Sequence, residues 1–206
     1  MIRPLPHPVR AVIFDMDGTL TVPALDFAAM RRELGIASRD ILEALEEMSE
    51  AEQRRAFRII ERHERVAAEQ SELSDGSGLL LDFLRKSGVK IGVATRNSQA
   101  SVDAFSARHG VTFDAIVTRT DAAPKPSPDP LLLALTRAGV TRDEAIYVGD
   151  YEFDRLTGEA AGVVTYIVKA HDTVRDDGPD DLRVDSLAQL IPLIRDANGG
   201  PAESPT

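Results

Sequence analysis

The sequence predicts an α/β fold: a parallel sheet of about five strands with helices on both faces, and a small all-helical insertion after the first strand. Three observations point there. Short apolar runs without alternation, the first at residues 11–14 (Ala-Val-Ile-Phe), fit strands buried on both faces, because a half-exposed strand would alternate. Amphipathic segments of helical period lie between most of these runs, and such alternation implies right-handed crossovers between parallel neighbours. Residues 21–74 interrupt the pattern with helical spacing throughout and no β-like alternation.

Residues 1–8, rich in proline, form an extended lead-in that lacks the apolar core of a signal peptide. The first strand then stops at Asp15, Asp17, Gly18 and Thr19. Inside the insertion, a first helix runs through Leu25, Phe27 or Ala28, Met30 and Leu34 and closes at Gly35. Ser38 is placed to cap a second helix, with Ile41, Leu42, Leu45 and Met48 on one face. A third extends from about Glu52 through Phe57, Ile59, Ile60 and Val66 to Gln70, its arginines and glutamates forming a solvated face.

From Asp75-Gly76 onward, helix and strand alternate. A helix at 79–86 ends at Ser87-Gly88, and a strand follows at 89–94. Ser98 caps the next helix, which ends at His109-Gly110, and a strand follows at 113–117. A loop then carries Lys125 between Pro124 and Pro126. Pro128 introduces a helix at 131–138 that Gly139 closes. A strand at 145–148, a helix from near Asp154 to Gly162, a strand at 163–168 and a final helix at 186–195 complete a Rossmann-like architecture. The expected organisation is a core of residues 9–20 and 75–196, a helical cap at 21–74, and flexible termini at 1–8 and 197–206.

Composition bounds the function. The 206 residues, 43% hydrophobic and 28% charged, suit one domain with a modest insertion. A net charge of −10 argues against a nucleic-acid partner or an anionic membrane surface, and no segment approaches a membrane span. Cysteine is absent, which excludes disulfides and thiolate sites and suits a cytoplasmic protein. His7, His63, His109 and His171 are scattered, and none adjoins a candidate catalytic segment.

Ligands of open α/β sheets bind at the carboxyl ends of the strands. That edge collects Asp15 and Asp17, then Thr95, then Asp150, with Lys125 on a loop beside them. Asp17-Gly18 alone is an ordinary turn signal, but Asp15 is not explained that way. Carboxylates, a lysine, a hydroxyl and a helix amino end together fit phosphoryl transfer. The acids hold a magnesium ion, while the metal, Lys125, Thr95 and the amides after it take the phosphate oxygens. Without such cations, an anionic nucleophile would be repelled by a phosphate in a poorly hydrated cleft.

Asp15-Met16-Asp17-Gly18-Thr19-Leu20 resembles the first motif of the haloacid dehalogenase-like superfamily in its phosphatase form. Thr95, ending Ile91-Gly92-Val93-Ala94, matches the second motif and Lys125-Pro126-Ser127-Pro128 the third. Gly149-Asp150-Tyr151-Glu152-Phe153-Asp154 has the GDxxxD form of the fourth, and the resemblance spans residues 9–195. It implies that Asp15 is a nucleophile forming an aspartyl-phosphate and also a ligand of Mg2+. It implies that Asp17 is the acid and base, with its carbonyl on the metal. Thr95 and Lys125 would hold the phosphoryl group, with Met16 and Arg96 among the substrate contacts. Asp150 would bind the metal, and Asp154 would orient a metal-bound water or cap its helix. Thr19 would bond within its turn. Arg96 stands where an asparagine is common; it either binds a second anionic group of the substrate or pairs with an acid such as Asp121. Tyr151 replaces a small serine and is expected to wall the site. The insertion corresponds to the cap of type I members, shorter than in the phosphoglycolate phosphatase and β-phosphoglucomutase relatives, which implies partial cover.

The expected activity is magnesium-dependent hydrolysis of a small phosphorylated metabolite. A phosphomutase of the family shares this chemistry and differs in excluding water, and a catalytically idle protein of the same fold is the non-enzymatic alternative. A dehalogenase has no need of Asp17 or a metal, and a phosphonate hydrolase would want a cap lysine, yet none precedes Lys86. A phospho-accepting receiver would carry its acceptor acid at the end of the third strand, where Val117-Thr118 stands.

Overall fold

The computed structural model describes residues 5–37, 41–168 and 182–200. In chain order its elements begin with β1 (Ala11–Phe14), α1 (Phe27–Leu34), α2 (Ile41–Glu46), α3 (Glu50–Gln70), α4 (Ser77–Lys86), β2 (Lys90–Ala94) and α5 (Gln99–His109). They continue with β3 (Ala115–Val117), α6 (Asp129–Ala138), β4 (Ala145–Gly149), α7 (Glu152–Ala161), β5 (Val164–Val168), β6 (Arg183–Val184) and α8 (Leu190–Ala197). The cap expected at Ser38, and His171, lie outside the described residues.

All strands are parallel, in the order β3-β2-β1-β4-β5-β6. Every residue of β1, β4 and β5 is buried, as their continuous apolar runs require. Among the described residues the sheet has six strands, where the sequence suggests about five. The sixth, β6, is two residues long and begins with an arginine, so it forms no apolar run. Helix α4 begins two residues earlier than expected, because the buried Ser77 hydroxyl donates to the Leu20 carbonyl at 2.9 Å and anchors its first turn. Helix α7 begins at Glu152, which makes Asp154 the third residue of its first turn.

The chain divides into two compact units. One comprises residues 1–23, 72–96 and 111–206, and the other residues 24–71 and 97–110. In the first, strands β1 and β4 contribute Ala11, Ile13, Ala145 and Tyr147 to a core completed by Leu131, Ala134 and Leu135 of α6. Its first and last described segments are joined: the Val9 amide donates to Asn198 Oδ1 at 2.7 Å, and Asn198 Nδ2 donates to the Val9 carbonyl at 3.0 Å. Residues 197 and 198, which the sequence places at the start of a tail, are thereby held in the fold.

The second unit has its own small core of Met30, Ile41, Leu45, Ala56 and Ile60. Helix α3 carries its charges in the expected way, with Arg54–Glu50 at 3.3 Å and Arg65–Glu69 at 2.8 Å on exposed turns. Helix α5 belongs to this unit because α3 binds it through side chains. Glu64, buried on α3, accepts the Ser98 amide at 3.2 Å, and Arg108 Nε donates to the Ser71 carbonyl at 2.6 Å. No helix among the described residues is long and apolar enough to cross a membrane.

Candidate active site

The strand register brings the candidate residues to one level. Phe14 of β1 lies opposite Val93 of β2 and Val148 of β4, so Asp15 comes level with Ala94 and Gly149. One step further, Met16 comes level with Thr95 and Asp150. The strand order reverses on either side of β1, so the connections after β1 and β4 leave in opposite directions and open a crevice between them.

Past Asp15 the chain turns sharply, with the amides of Leu20 and Thr21 both donating to the Met16 carbonyl, at 2.9 and 3.1 Å. Gly18 has φ +83°, and a Cβ there would lie 2.2 Å from Asp150 Oδ2. Only glycine lets the Asp150 carboxylate rest against this turn. Gly149 serves the same end on the other side, since a Cβ there would fall 2.3 Å from the Asp154 carboxyl carbon. Thr19 does not bond within its own turn as expected; its hydroxyl donates to Asp150 Oδ1 at 3.1 Å and ties the first loop to the fourth.

Lys125 joins the acids. Its Nζ donates to Asp15 Oδ1 and to Asp154 Oδ1, each at 2.6 Å, and to the Tyr147 hydroxyl at 3.1 Å. Asp154 divides its two oxygens. Oδ1 accepts from Lys125 and from the Tyr147 hydroxyl at 2.6 Å, while Oδ2 accepts the amides of Asp150 and Tyr151 at 3.3 and 3.1 Å. It is thus both a helix cap and a member of the site, one oxygen for each. Asp15, Asp150 and Asp154 can each bring an oxygen within 4.8 Å of the others, an all-oxygen donor set that suits a hard divalent cation. Asp154, however, already fills about four acceptor positions, so Asp15 and Asp150 are the carboxylates with capacity for a metal.

The charges are poorly compensated. Burial lifts the Asp15 carboxyl to about 6, against the pull of Lys125, and Asp154 adds to the rise. Burial, then Asp15 and Asp154, lifts Asp150 to about 8. For Lys125, burial disfavours the ammonium, but Asp15 and Asp154 outweigh it and hold the pKa above its ordinary value. Burial and then Asp154 push the Tyr147 phenol well above its ordinary value, so it donates as a neutral hydroxyl. Three carboxylates facing one ammonium make a site that a divalent cation would neutralise.

The remaining candidates are placed differently. The Asp17 carboxylate stands outside the three-acid group. The Met16 side chain is buried and its carbonyl is spent inside the turn, which leaves its amide facing the Asp15 carboxylate. Thr95 is buried at the end of β2, its amide donating to the Val117 carbonyl at 3.0 Å. Of the helix-start amides expected to hold phosphate, Ser98 donates to Glu64, and Ser101 donates to Ser98 Oγ at 3.3 Å. Both are spent within the protein. Arg96 lies 5.0 Å over the Phe153 ring, which in turn meets the exposed Tyr151 edge-on. Asp121, its alternative partner, is held by Arg137 at 2.7 Å. Tyr147 is the member of this hydrogen-bonded cluster that sequence reasoning missed. Its only signal was a phenol in an otherwise aliphatic strand, where a buried hydroxyl must find a partner.

Residues 21–168 match the haloacid dehalogenase-like hydrolase family, a stretch that includes Thr95, Lys125, Asp150 and Asp154 and begins just after the turn at 15–20. This chain is a haloacid dehalogenase-like hydrolase. The hydrolase is 35% identical to a haloacid dehalogenase-like hydrolase domain-containing protein of Arabidopsis thaliana, across 90% of this chain and 84% of that one. It is 28% identical to the phosphoglycolate phosphatase of Xanthomonas campestris, across 90% of this chain and 94% of the relative. Among solved structures, a superfamily hydrolase of subfamily IA from Geobacter sulfurreducens aligns with a TM-score of 0.64 at 28% identity, covering 94% of this hydrolase and all of that chain (100%).

Proposed function

We propose that this hydrolase is a magnesium-dependent phosphatase that cleaves a small phosphorylated metabolite through an aspartyl-phosphate on Asp15. The observation that carries the reading is Lys125, buried at the switch point with its ammonium on Asp15 and Asp154 and with Asp150 alongside. The Xanthomonas relative, named a phosphoglycolate phosphatase, supports a phosphoric monoester as substrate.

An Asp15 oxygen attacks phosphorus while the ester P–O bond breaks, and Asp17 gives its proton to the departing oxygen. Asp17 then takes a proton from water as the water attacks phosphorus, which releases phosphate and restores the Asp15 carboxylate. Lys125 keeps Asp15 anionic and oriented for attack. Magnesium, when bound by the carboxylates of Asp15 and Asp150 and the carbonyl of Asp17, supplies neutralising charge to the phosphoryl oxygens. Asp154 supports Lys125 and the loop that carries Asp150. Thr95 donates to the phosphoryl group, and Arg96, braced on Phe153, favours substrates with a second anionic group.

The test is hydrolysis of an aryl phosphate and of a panel of phosphorylated metabolites, with and without magnesium. Asp15→Asn removes the anionic nucleophile while keeping its shape, so turnover falls to background and the fold persists. Asp17→Asn lets an activated ester phosphorylate the enzyme but slows water attack, so the peptide containing Asp15 gains the mass of a phosphate. Turnover by the Asp15 variant above a small fraction of wild type would rule out covalent catalysis at that residue.

A further inference from the structure

We propose that Tyr147 is a positioning residue that aims the nucleophile through Lys125 and Asp154, an inference that rests on the phosphatase reading above. Tyr147 is fully buried in β4, where it lies opposite Ile13, two residues before Asp15 on the adjacent strand. Its ring fills the core with Leu131, Ala134 and Leu135, a task phenylalanine would do as well. The hydroxyl is what needs a reason. It donates to Asp154 Oδ1 at 2.6 Å and accepts from Lys125 Nζ at 3.1 Å.

A lysine ammonium has three N–H donors. Here they go to Asp15 Oδ1, Asp154 Oδ1 and the Tyr147 oxygen, so the rotation of the Lys125 head is fully specified. Without the phenol oxygen, the ammonium can keep both carboxylates while rocking about the line between them. Asp154 Oδ1 at the same time loses one of its two donors. The Asp15 carboxylate follows the ammonium, and misalignment of an attacking oxygen by a fraction of an ångström is costly in rate. Tyr147 itself is too deep to touch a substrate. Its hydroxyl therefore governs turnover and leaves substrate affinity alone.

The experiment compares the full-length wild type with Tyr147→Phe, which keeps the ring and the core packing. With magnesium and an aryl phosphate, kcat falls by about tenfold, the scale of one lost hydrogen bond, while KM stays within about twofold. In an Asp154→Asn background the same substitution costs less than about twofold, because the Lys125 head has then already lost one of the two carboxylates between which the phenol oxygen holds it. A second arm needs neither metal nor turnover. The chain contains four lysines, so replacing Lys86, Lys90 and Lys169 by arginine leaves only Lys125. Its nitrogen-labelled ammonium gives a slowly exchanging NMR signal in the wild type, and Tyr147→Phe accelerates that exchange and shifts the resonance.

An active wild type whose Tyr147→Phe variant matches it in kcat and in the Lys125 signal overturns the inference alone. So does a variant in which KM rises as much as kcat falls while the signal stays put, since that is loosened packing. A wild type that hydrolyses no phosphate ester overturns the phosphatase reading, and the inference with it.

Discussion

The two edges of the sheet are built on opposite principles. At the amino edge the chain is closed by neutral or solvated contacts. Asn198 pairs with both backbone groups of Val9, the Arg10 amide donates to the Glu144 carbonyl at 2.7 Å, and the Arg10–Glu144 ion pair at 3.2 Å is 63% and 29% exposed. At the carboxyl edge, Lys125, Asp15 and Asp154 are buried almost completely and Asp150 joins them. Burying charge costs more than its pairing returns, and an apolar replacement of a whole buried network is often neutral or stabilising. The amino edge is thus arranged for stability, and the carboxyl edge gives up stability to hold the proposed reactive groups in place.

The largest test of that contrast is Lys125→Met. It leaves Asp15 and Asp154 buried without their cation, so unfolding free energy should drop by about 3–5 kcal/mol and turnover by roughly 10²–10³-fold. Denaturant melts and kinetics check both, and a variant that stays stable and active would erase the distinction between the edges.

Next in size is the pH dependence of the metal-free protein. The unfolded chain ionises its aspartates near 3.8, whereas the folded chain keeps Asp15 protonated up to about 6 and Asp150 up to about 8. Between those limits the folded state binds more protons than the unfolded one. The stability held in full below the unfolded value is therefore lost as pH rises through the folded values. Thermal melts in chelator should show Tm falling from about pH 5 to about pH 8.5. If magnesium binds the ionised acids as proposed, adding it should raise Tm more at the higher pH. A flat Tm in chelator would mean that these carboxylates are not strained by burial.

At the amino edge, Asn198→Ala strands the buried Val9 amide and should cost about 1–3 kcal/mol in denaturant unfolding, while kcat stays within about twofold of wild type. Smallest of all, Arg10→Ala removes an exposed ion pair and should leave Tm and kcat unchanged within error. Loss of turnover in either variant would mean that the edges are coupled.

Much of the fold was legible in the sequence because its cause is local. A parallel strand buried on both faces has to be a continuous apolar run, and β1, β4 and β5 are such runs. Helix ends at Gly35, Gly110, Gly139 and Gly162 were legible too, each glycine adopting the left-handed conformation that stops a helix. Strand β6 was not, since it owes its pairing to β5 rather than to any pattern of its own. In the site, the acids and the lysine were identified by spacing and family resemblance. The partner of Arg96 was left open between a substrate anion and Asp121. Arg137, a sixteen-residue step along the chain from Asp121, turned out to hold that acid.

The sequence by itself determined the α/β alternation, the carboxylates at strand ends and the glycines that let the first and fourth loops approach. Each of these is a property of a short stretch, since burial sets hydrophobic period and a missing Cβ sets how close two backbones can come. Tertiary structure alone decided how Asp154 divides its oxygens, where Thr19 donates, and that Tyr147 completes the coordination of Lys125. Those contacts join residues as far apart as Thr19 and Asp150, 131 positions along the chain. A hydrogen bond depends on a few tenths of an ångström, and that precision exists only once the strands have set the register between them.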